Sequence, residues 1–348
     1  MPPARIDLPG CSLIEDASLA ERNTLRVAAR CAWFAELHDA SVLPALLARP
    51  ALHELPLLVL GAGSNVLFTA DWPGLVVHPR DERIEWLGES DGYAHVRAGA
   101  GANWDHFVRW TLAHELMGLE NLVQIPGTVG AAPIQNIGAY GAEVATCIEH
   151  VEAWDRHARC WTRMDAVDCR FGYRDSCFKQ APDRWIIRAV HFVLPRVAPL
   201  QIEYAGIREE LAAMRVDAPR AVHVAEAVTR LRARKLPDPT QIGNAGSFFK
   251  NPEMDPAQAA SLQARLPELP AWPADHGRVK LSAAWLIERA GCKGLRQGDA
   301  GISARHALVL VNHGHASGAE LWALAQQVRE AVHALTGIWL EPEPRILP

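Results

Sequence analysis

QIPGTVGAAPIQNIGAYG, residues Gln124–Gly141, carries Gly127, Gly130, Gly138 and Gly141 with small residues between them and no charged side chain. Such a segment builds no core of its own, but its main-chain amides can come close to a large ligand and hydrogen-bond it. A flexible linker fits poorly, because linkers are polar and rich in proline, whereas this stretch holds Ile125, Val129, Ile134, Ile137 and Tyr140. A related turn lies upstream. The short apolar run LPLLVL, Leu55–Leu60, reads as a buried strand and delivers into GAGSNVLF, Gly61–Phe68. A strand entering a glycine-rich turn presents N–H groups to an anion such as phosphate, or is simply a turn between strands. The turn is not GxGxxG and no long helix clearly follows, so a doubly wound dinucleotide fold is a poor fit.

Outward from these turns, residues 74–78, 83–87 and 93–98 read as strands, the last two joined as a hairpin through Glu89, Ser90, Asp91 and Gly92. Residues 102–117 have helical spacing of Trp104, Phe107, Val108, Leu112 and Leu116. A second hairpin is expected at 148–154 and 160–164, and a strand at 185–195. Helices are expected at 39–49, capped by Asp39 or Ser41, at 221–235, at 281–290 ended by Gly291, and from Ser317 or Gly318 to about 335, stopped by Gly337. ALVLVN, Ala307–Asn312, reads as a buried strand, and residues 1–15 as a loose terminus.

Several polar residues stand out in this frame. In IGNAGSFFKNP, Ile242–Pro252, Ser247 follows two glycines and is backed by Phe248 and Phe249. It is either part of a tight turn entering a strand or a placed hydroxyl. Arg174, in FGYRDSCFK, is either a surface charge paired with Asp175 or a guanidinium aimed at a carboxylate or developing negative charge. Lys235 ends the basic run RLRARK just before the Ser247 stretch. Near the C-terminus, Pro342 and Pro344 make IWLEPEPRIL an edge or irregular strand, on which Glu341 and Glu343 share a face, or an exposed acidic tail.

The 348 residues suffice for two or three domains, and 49% hydrophobic with 22% charged residues is the composition of a globular protein. A net charge of -5 argues against nucleic acid as the main partner. The start of the chain lacks the pattern of a signal peptide, and no apolar run is long enough to span a bilayer, so a cytoplasmic protein without a membrane partner is expected. The seven cysteines never form a CxxC pair and read as free thiols. The fifteen histidines are dispersed, and no metal site is expected.

Taken together, NTL (Asn23–Leu25), GAGSNVL, IPGTVGAAPIQNIGAYG, FGYRDSCFK, KLPDP, IGNAGSFFKNP, KLSAAWLIERAGCKG and LEPEPR resemble, in order, the UDP-N-acetylenolpyruvoylglucosamine reductase family, in its longer subclass with a substrate-closing tyrosine loop. The resemblance covers nearly the whole chain from about Leu19. It implies an α+β fold: a two-lobed FAD-binding domain of the vanillyl-alcohol-oxidase type plus a separate α+β substrate domain. The corresponding division is 15–78 and 79–220 for the two lobes, 221–336 for the substrate domain and 337–348 for a C-terminal segment returning to the flavin side.

The resemblance further implies non-covalent FAD, NADPH as reductant, a UDP-sugar enol ether as substrate and a monomeric enzyme. Gly61, Ala62, Gly63, Ser64 and Asn65 would hold the cofactor together with Ile125, Pro126, Gly127, Thr128, Gly130 and Ala131. Gln135, Asn136, Gly138, Ala139 and Gly141 belong to the same cradle, and Arg232 and Arg345 lie near it. Arg174 and Glu343 would stabilise charge at the substrate carboxylate, and Ser247 would donate the proton. Tyr204, Lys235, Asn251 and Lys293 would contact substrate. Two positions depart from the family pattern: His306, where glutamine is expected, and Pro344, where valine is usual. Rival readings are another FAD-dependent oxidase or dehydrogenase of the same superfamily, and a non-enzymatic nucleotide-binding regulator, which has no use for Arg174, Ser247 and Glu343 together.

Overall fold

The computed structural model describes residues 5–348. The described residues form two compact units, and both are discontinuous in sequence: the first holds 5–17, 31–62 and 73–233, the second 18–30, 63–72 and 234–348.

Two five-stranded sheets form the first unit. One runs in the order Arg5–Leu8, Cys11–Ser18, Arg30–Leu37, Trp72–Pro79 and Leu57–Val59. Residues 5–15, expected to be loose, are instead paired: Arg5–Leu8 lies antiparallel to Cys11–Ser18, turned by Gly10 at φ 72°. The reason is burial, since Cys11 and Leu13 enter a core with Leu37, Leu43 and Leu75. Met1–Ala4, the rest of that expected terminus, lie outside the described residues. The LPLLVL strand forms as Leu57–Val59, parallel to Trp72–Pro79. Asp39 is the cap of the following short helical stretch, accepting from the Ser41 N–H at 2.8 Å.

The other sheet is antiparallel throughout, in the order Cys160–Asp165, Ile148–Asp155, Trp185–Pro195, Tyr93–Gly99 and Ile84–Ser90. Both expected hairpins are in it. The strand WIIRAVHFVLP alternates, so Val190, Phe192 and Leu194 join the core on one face while His191 lies on the other. The helix Trp104–Ala113, capped by Asn103, covers the inner face, with the Phe107 and Phe192 rings 4.7 Å apart. The helix Ala221–Lys235 buries Val224, Ala227, Val228 and Leu231 in this same core. Placed at the head of the substrate domain from the sequence, this helix therefore packs within the first unit up to Ala233.

A four-stranded sheet, Gly243–Ser247, Val309–Asn312, Ala300–Ile302 and Arg296–Gln297, organises the second unit, alongside a smaller three-stranded sheet. The proline-punctuated segment after Asp255 contains the helix Pro256–Arg265, with proline at its first position. The helix Gly318–Thr336 starts in a capping box of Ser317 and Glu320 and stops at Gly337, φ 81°. A Cβ on Gly318 would stand 1.6 Å from the Phe68 carbonyl oxygen, so only glycine lets this helix start against that chain. The acidic tail is anchored: Arg345–Leu347 pairs parallel with Val66–Phe68. The expected strand face bearing Glu341 and Glu343 does not form as such, because regular pairing begins only after Pro344.

All seven cysteines are free. Burial pushes the Cys169 thiol up to about 12 and also raises that of Cys177, which does not suit a reactive thiolate. Among the described residues, no helix is long and apolar enough to cross a membrane.

Candidate flavin and substrate site

In the first unit, Gln124–Gly141 is a chain of tight turns. Gln124, Gly127, Asn136, Tyr140 and Gly141 all have positive φ, at 59°, 139°, 44°, 52° and 85°. At two glycines the neighbours decide the residue. A Cβ on Gly130 would meet the Ala100 Cβ at 2.6 Å, and one on Gly61 would meet the Thr128 Oγ1 at 2.5 Å. The second approach sets Gly61 against the PGTVG turn within the first unit, to which Gly61 and Ala62 belong; Gly63, Ser64 and Asn65 belong to the second.

Asn136 is 1% exposed and its amide is committed within the protein. It donates to Glu143 Oε2 at 2.8 Å and to the Gly172 carbonyl at 3.1 Å, and accepts from the Ala145 N–H at 3.0 Å. Its side chain shapes the cradle. Gly138–Ala139 pairs with Ala142–Glu143 as a small hairpin. Arg232 is half-buried, and desolvation pushes its pKa down despite the nearby Tyr140 and Asp105. A cation held in this way favours an added anion. Close-packed glycines, mostly half-buried main-chain turns and a desolvated arginine form a donor set that fits a dinucleotide with a diphosphate such as FAD.

Arg174 has φ 54°, an uncommon conformation for a side chain of its size. It is held at both ends. The Lys179 Nζ donates to its carbonyl at 3.0 Å, and its own Nη2 donates to the Gly138 carbonyl at 2.6 Å. Asp175 does not serve as the simple surface partner expected in the bland reading, because its carboxylate accepts from the Ser176 N–H and from Gln180 Nε2. The guanidinium is thus seated on the backbone of the Gln124–Gly141 segment. Lys179 has no distinguishing sequence pattern, although its spacing of five residues from Arg174 lets its side chain reach back.

In the second unit, Ser247 ends the strand Gly243–Ser247 opposite Val309, after a register shift between Asn244 and Ser247. Gly246, φ 68°, makes this bend, and Asn244 stabilises it by accepting from the Gly246 N–H at 3.0 Å. That side chain also donates to the Pro237 and Ile242 carbonyls. Asn244 was not singled out from the sequence, although an asparagine two residues before a glycine is a legible turn signal. Phe248, next to Ser247, donates to Leu308 O at 2.7 Å and accepts from the Glu343 N–H at 2.8 Å. Asn65 Nδ2 donates to Glu343 O at 3.3 Å, and the Arg345 N–H donates to Asn65 O at 3.0 Å. Ser247, Glu343, Arg345 and Asn65 are thereby brought together by main-chain bonds and by the Asn65 side-chain amide. The NTL segment joins them: Thr24 donates from its N–H to Gly63 O and accepts at its carbonyl from the Asn244 N–H, while its Oγ1 is buried without a hydrogen-bond partner.

The substrate candidates are more scattered. Tyr204, in the first unit, is 47% exposed and meets the Tyr140 ring edge-on at 5.1 Å. Lys235 is exposed, and Lys293 is paired with Glu288 at 2.9 Å. Asn251 Oδ1 accepts from the Ala283 N–H at 3.0 Å, which occupies it at the start of the helix Ala283–Arg289. His306 lies near Lys235 and Lys293; burial first, then these two cations, push its pKa down, so it is neutral at pH 7.

Comparison with known proteins accounts for this arrangement. The model of the UDP-N-acetylenolpyruvoylglucosamine reductase C-terminal domain matches residues 238–347, and that of an FAD binding domain matches 32–161. A UDP-N-acetylenolpyruvoylglucosamine reductase of Xanthomonas oryzae pv. oryzae is 52% identical over 97% of this chain and 97% of its own. One from Xanthomonas campestris pv. campestris is 53% identical over 96% of each. Among solved structures, the UDP-N-acetylenolpyruvylglucosamine reductase of Thermus caldophilus superposes with a TM-score of 0.69 at 25% identity, covering 96% of this chain and 98% of that one. The expected α+β fold with an FAD-binding domain holds. With over half its residues shared along almost its entire length, the chain belongs to the UDP-N-acetylenolpyruvoylglucosamine reductase family.

Proposed function

We propose that this chain is a UDP-N-acetylmuramate dehydrogenase, which reduces the enolpyruvyl ether of UDP-N-acetylglucosamine to UDP-N-acetylmuramate in peptidoglycan precursor synthesis. When bound, FAD would supply the two-electron redox chemistry that links NADPH to the enol ether. The chain's residues supply charge stabilisation, the proton and orientation. A hydride added to the enolpyruvyl methylene carbon leaves negative charge on the neighbouring carbon and its carboxylate. Arg174 stabilises that charge where it develops, a role Glu343 can share only as the neutral acid, because a carboxylate would repel the substrate's own. Ser247 donates its hydroxyl proton to the carbanionic carbon, which completes the addition of one hydride and one proton across the double bond.

Lys235 meets the substrate diphosphate, Tyr204 is the substrate-closing residue, and Asn251 and Lys293 contact the substrate. Gly61–Asn65, Gln124–Gly141, Arg232 and Arg345 hold the FAD. The enzyme acts in the cytoplasm as a monomer. The observation that carries the reading is the main-chain join of Phe248 to Glu343, which sets the proposed proton donor and a proposed charge stabiliser in one rigid turn. The test is stopped-flow spectroscopy of the two half-reactions. NADPH bleaches the bound flavin, and the enolpyruvyl sugar nucleotide restores its colour. A flavin that NADPH bleaches but this substrate does not reoxidise favours another oxidase of the superfamily.

A further inference from the structure

We propose that the first unit carries a binding site for one divalent transition-metal ion of the zinc class, formed by Glu149, His150 and His191 on the sheet face opposite the helix Trp104–Ala113. None of these residues has a part in the flavin or substrate chemistry above. One ligand atom from each of the three lies within 4.8 Å of the others. His150 and His191 face each other directly across adjacent strands. A cavity of about 510 Å³ opens in front of them, lined also by Ser90, His95 and Arg163.

The nitrogen atoms are apportioned as a metal site requires. His191 Nε2 lies 2.6 Å from Glu152 Oε1. An ionised carboxylate only accepts, so Nε2 carries the hydrogen, and in the neutral imidazole that leaves the lone pair on Nδ1. This is the outer carboxylate–imidazole contact that fixes the tautomer of metal-binding histidines. Arg188 and Arg97 hold Glu152 in place. His150 is 6% exposed, and its Nδ1 is buried without a hydrogen-bond partner, 3.4 Å from Glu149 Oε2. A buried imidazole nitrogen with no partner is costly, and an ion shared with Glu149 satisfies it. His95 adds a fourth donor at the rim: its Nδ1 is 3.8 Å from Glu149 Oε1, while its Nε2 meets Ser90 Oγ at 3.3 Å. Arg163, the cation in the lining, has its charge offset by Asp165 at 2.9 Å.

Imidazole nitrogens with one carboxylate select zinc, nickel or copper over magnesium and calcium, which prefer oxygen alone. The His150 and His191 rings are stacked, 3.8 Å apart and 20° from parallel. An ion lies in the plane of each imidazole it binds, so loading turns one ring out of the stack.

The experiment titrates the purified, flavin-loaded full chain with Zn²⁺ against a chromophoric chelator. One ion per chain is expected, undisplaced by a large excess of Mg²⁺. His150→Gln and Glu149→Gln should each weaken it at least about tenfold, with FAD content and NADPH-dependent bleaching unchanged. Glu149 is half-exposed, so Glu149→Gln keeps the fold and decides the matter if His150→Gln does not fold. Absence of saturable Zn²⁺ binding, or wild-type affinity in either folded variant, overturns the proposal.

Discussion

The main-chain N–H of Glu343 donates to the carbonyl of Phe248 at 2.8 Å, one residue past Ser247. Residues separated by nearly a hundred positions are thus fixed in one turn, and the Lys250 N–H reinforces it by donating to Glu341 O at 3.0 Å. If this turn presents the proton donor, removing the hydroxyl affects only the step that consumes the proton. Ser247→Ala is expected to leave flavin bleaching by NADPH at its normal rate. Reoxidation by the enolpyruvyl sugar nucleotide should slow by about 10²–10⁴-fold, the usual contribution of a positioned acid. Stopped-flow absorbance of each half-reaction separates the two.

Arg174 offers a planar fork seated on Gly138, and a lysine cannot reproduce it. Arg174→Lys is expected to slow the second half-reaction by about 10²–10³-fold, the scale of losing one charge-stabilising donor. Flavin content, read from the visible spectrum of the purified protein, should be unchanged.

Two glycines of the site motifs should respond differently to alanine. Gly63 has φ 64°, and a Cβ there would stand 2.1 Å from Arg22 O and 2.7 Å from Asn23 Cα. Gly246 has φ 68° with nothing within 4 Å of the added atom. Gly246→Ala should cost about 1–2 kcal/mol from the left-handed backbone alone, whereas Gly63→Ala adds an overpacking cost of about 1–3 kcal/mol. Chemical denaturation of the two variants side by side measures the difference.

Acid should release a named ion pair. The hydrogen bonds from Arg184, aided by the N–H groups of Ala158 and His157, hold the Asp155 carboxyl at about 2. An unfolded aspartate titrates near ~3.9. Because the folded value is the lower, the stabilisation is fully present above about pH 4 and is lost as the pH falls towards 2. The stability gap between wild type and Asp155→Asn should therefore be constant from roughly pH 5 to 7 and close on acidification. Denaturant melts across the acid range check this.

Much of the site was legible because its residues are chosen by constraints that leave a local mark. Only glycine allows the approaches at Gly61 and Gly130, and only a capping pattern starts and stops a helix as Ser317, Glu320 and Gly337 do. What depends on distant register was not legible. The segment 18–30 belongs to the second unit because Thr24 O accepts from the Asn244 N–H and Leu25 O from Asn312 Nδ2. No local feature of NTL announces these partners. His150 and His191 read as dispersed residues until strand pairing set them opposite each other. The N-terminal hairpin was missed because Arg5–Leu8 is mostly exposed and its polar–apolar alternation, RIDL, spans only four residues.

The most direct measurement is anaerobic and uses the unmodified protein. The flavin is reduced with one equivalent of NADPH, and the enolpyruvyl ether of UDP-N-acetylglucosamine is added without oxygen. Rapid return of the oxidised flavin spectrum, with UDP-N-acetylmuramate formed in equal amount, is predicted. A flavin that stays reduced under these conditions contradicts the proposed function.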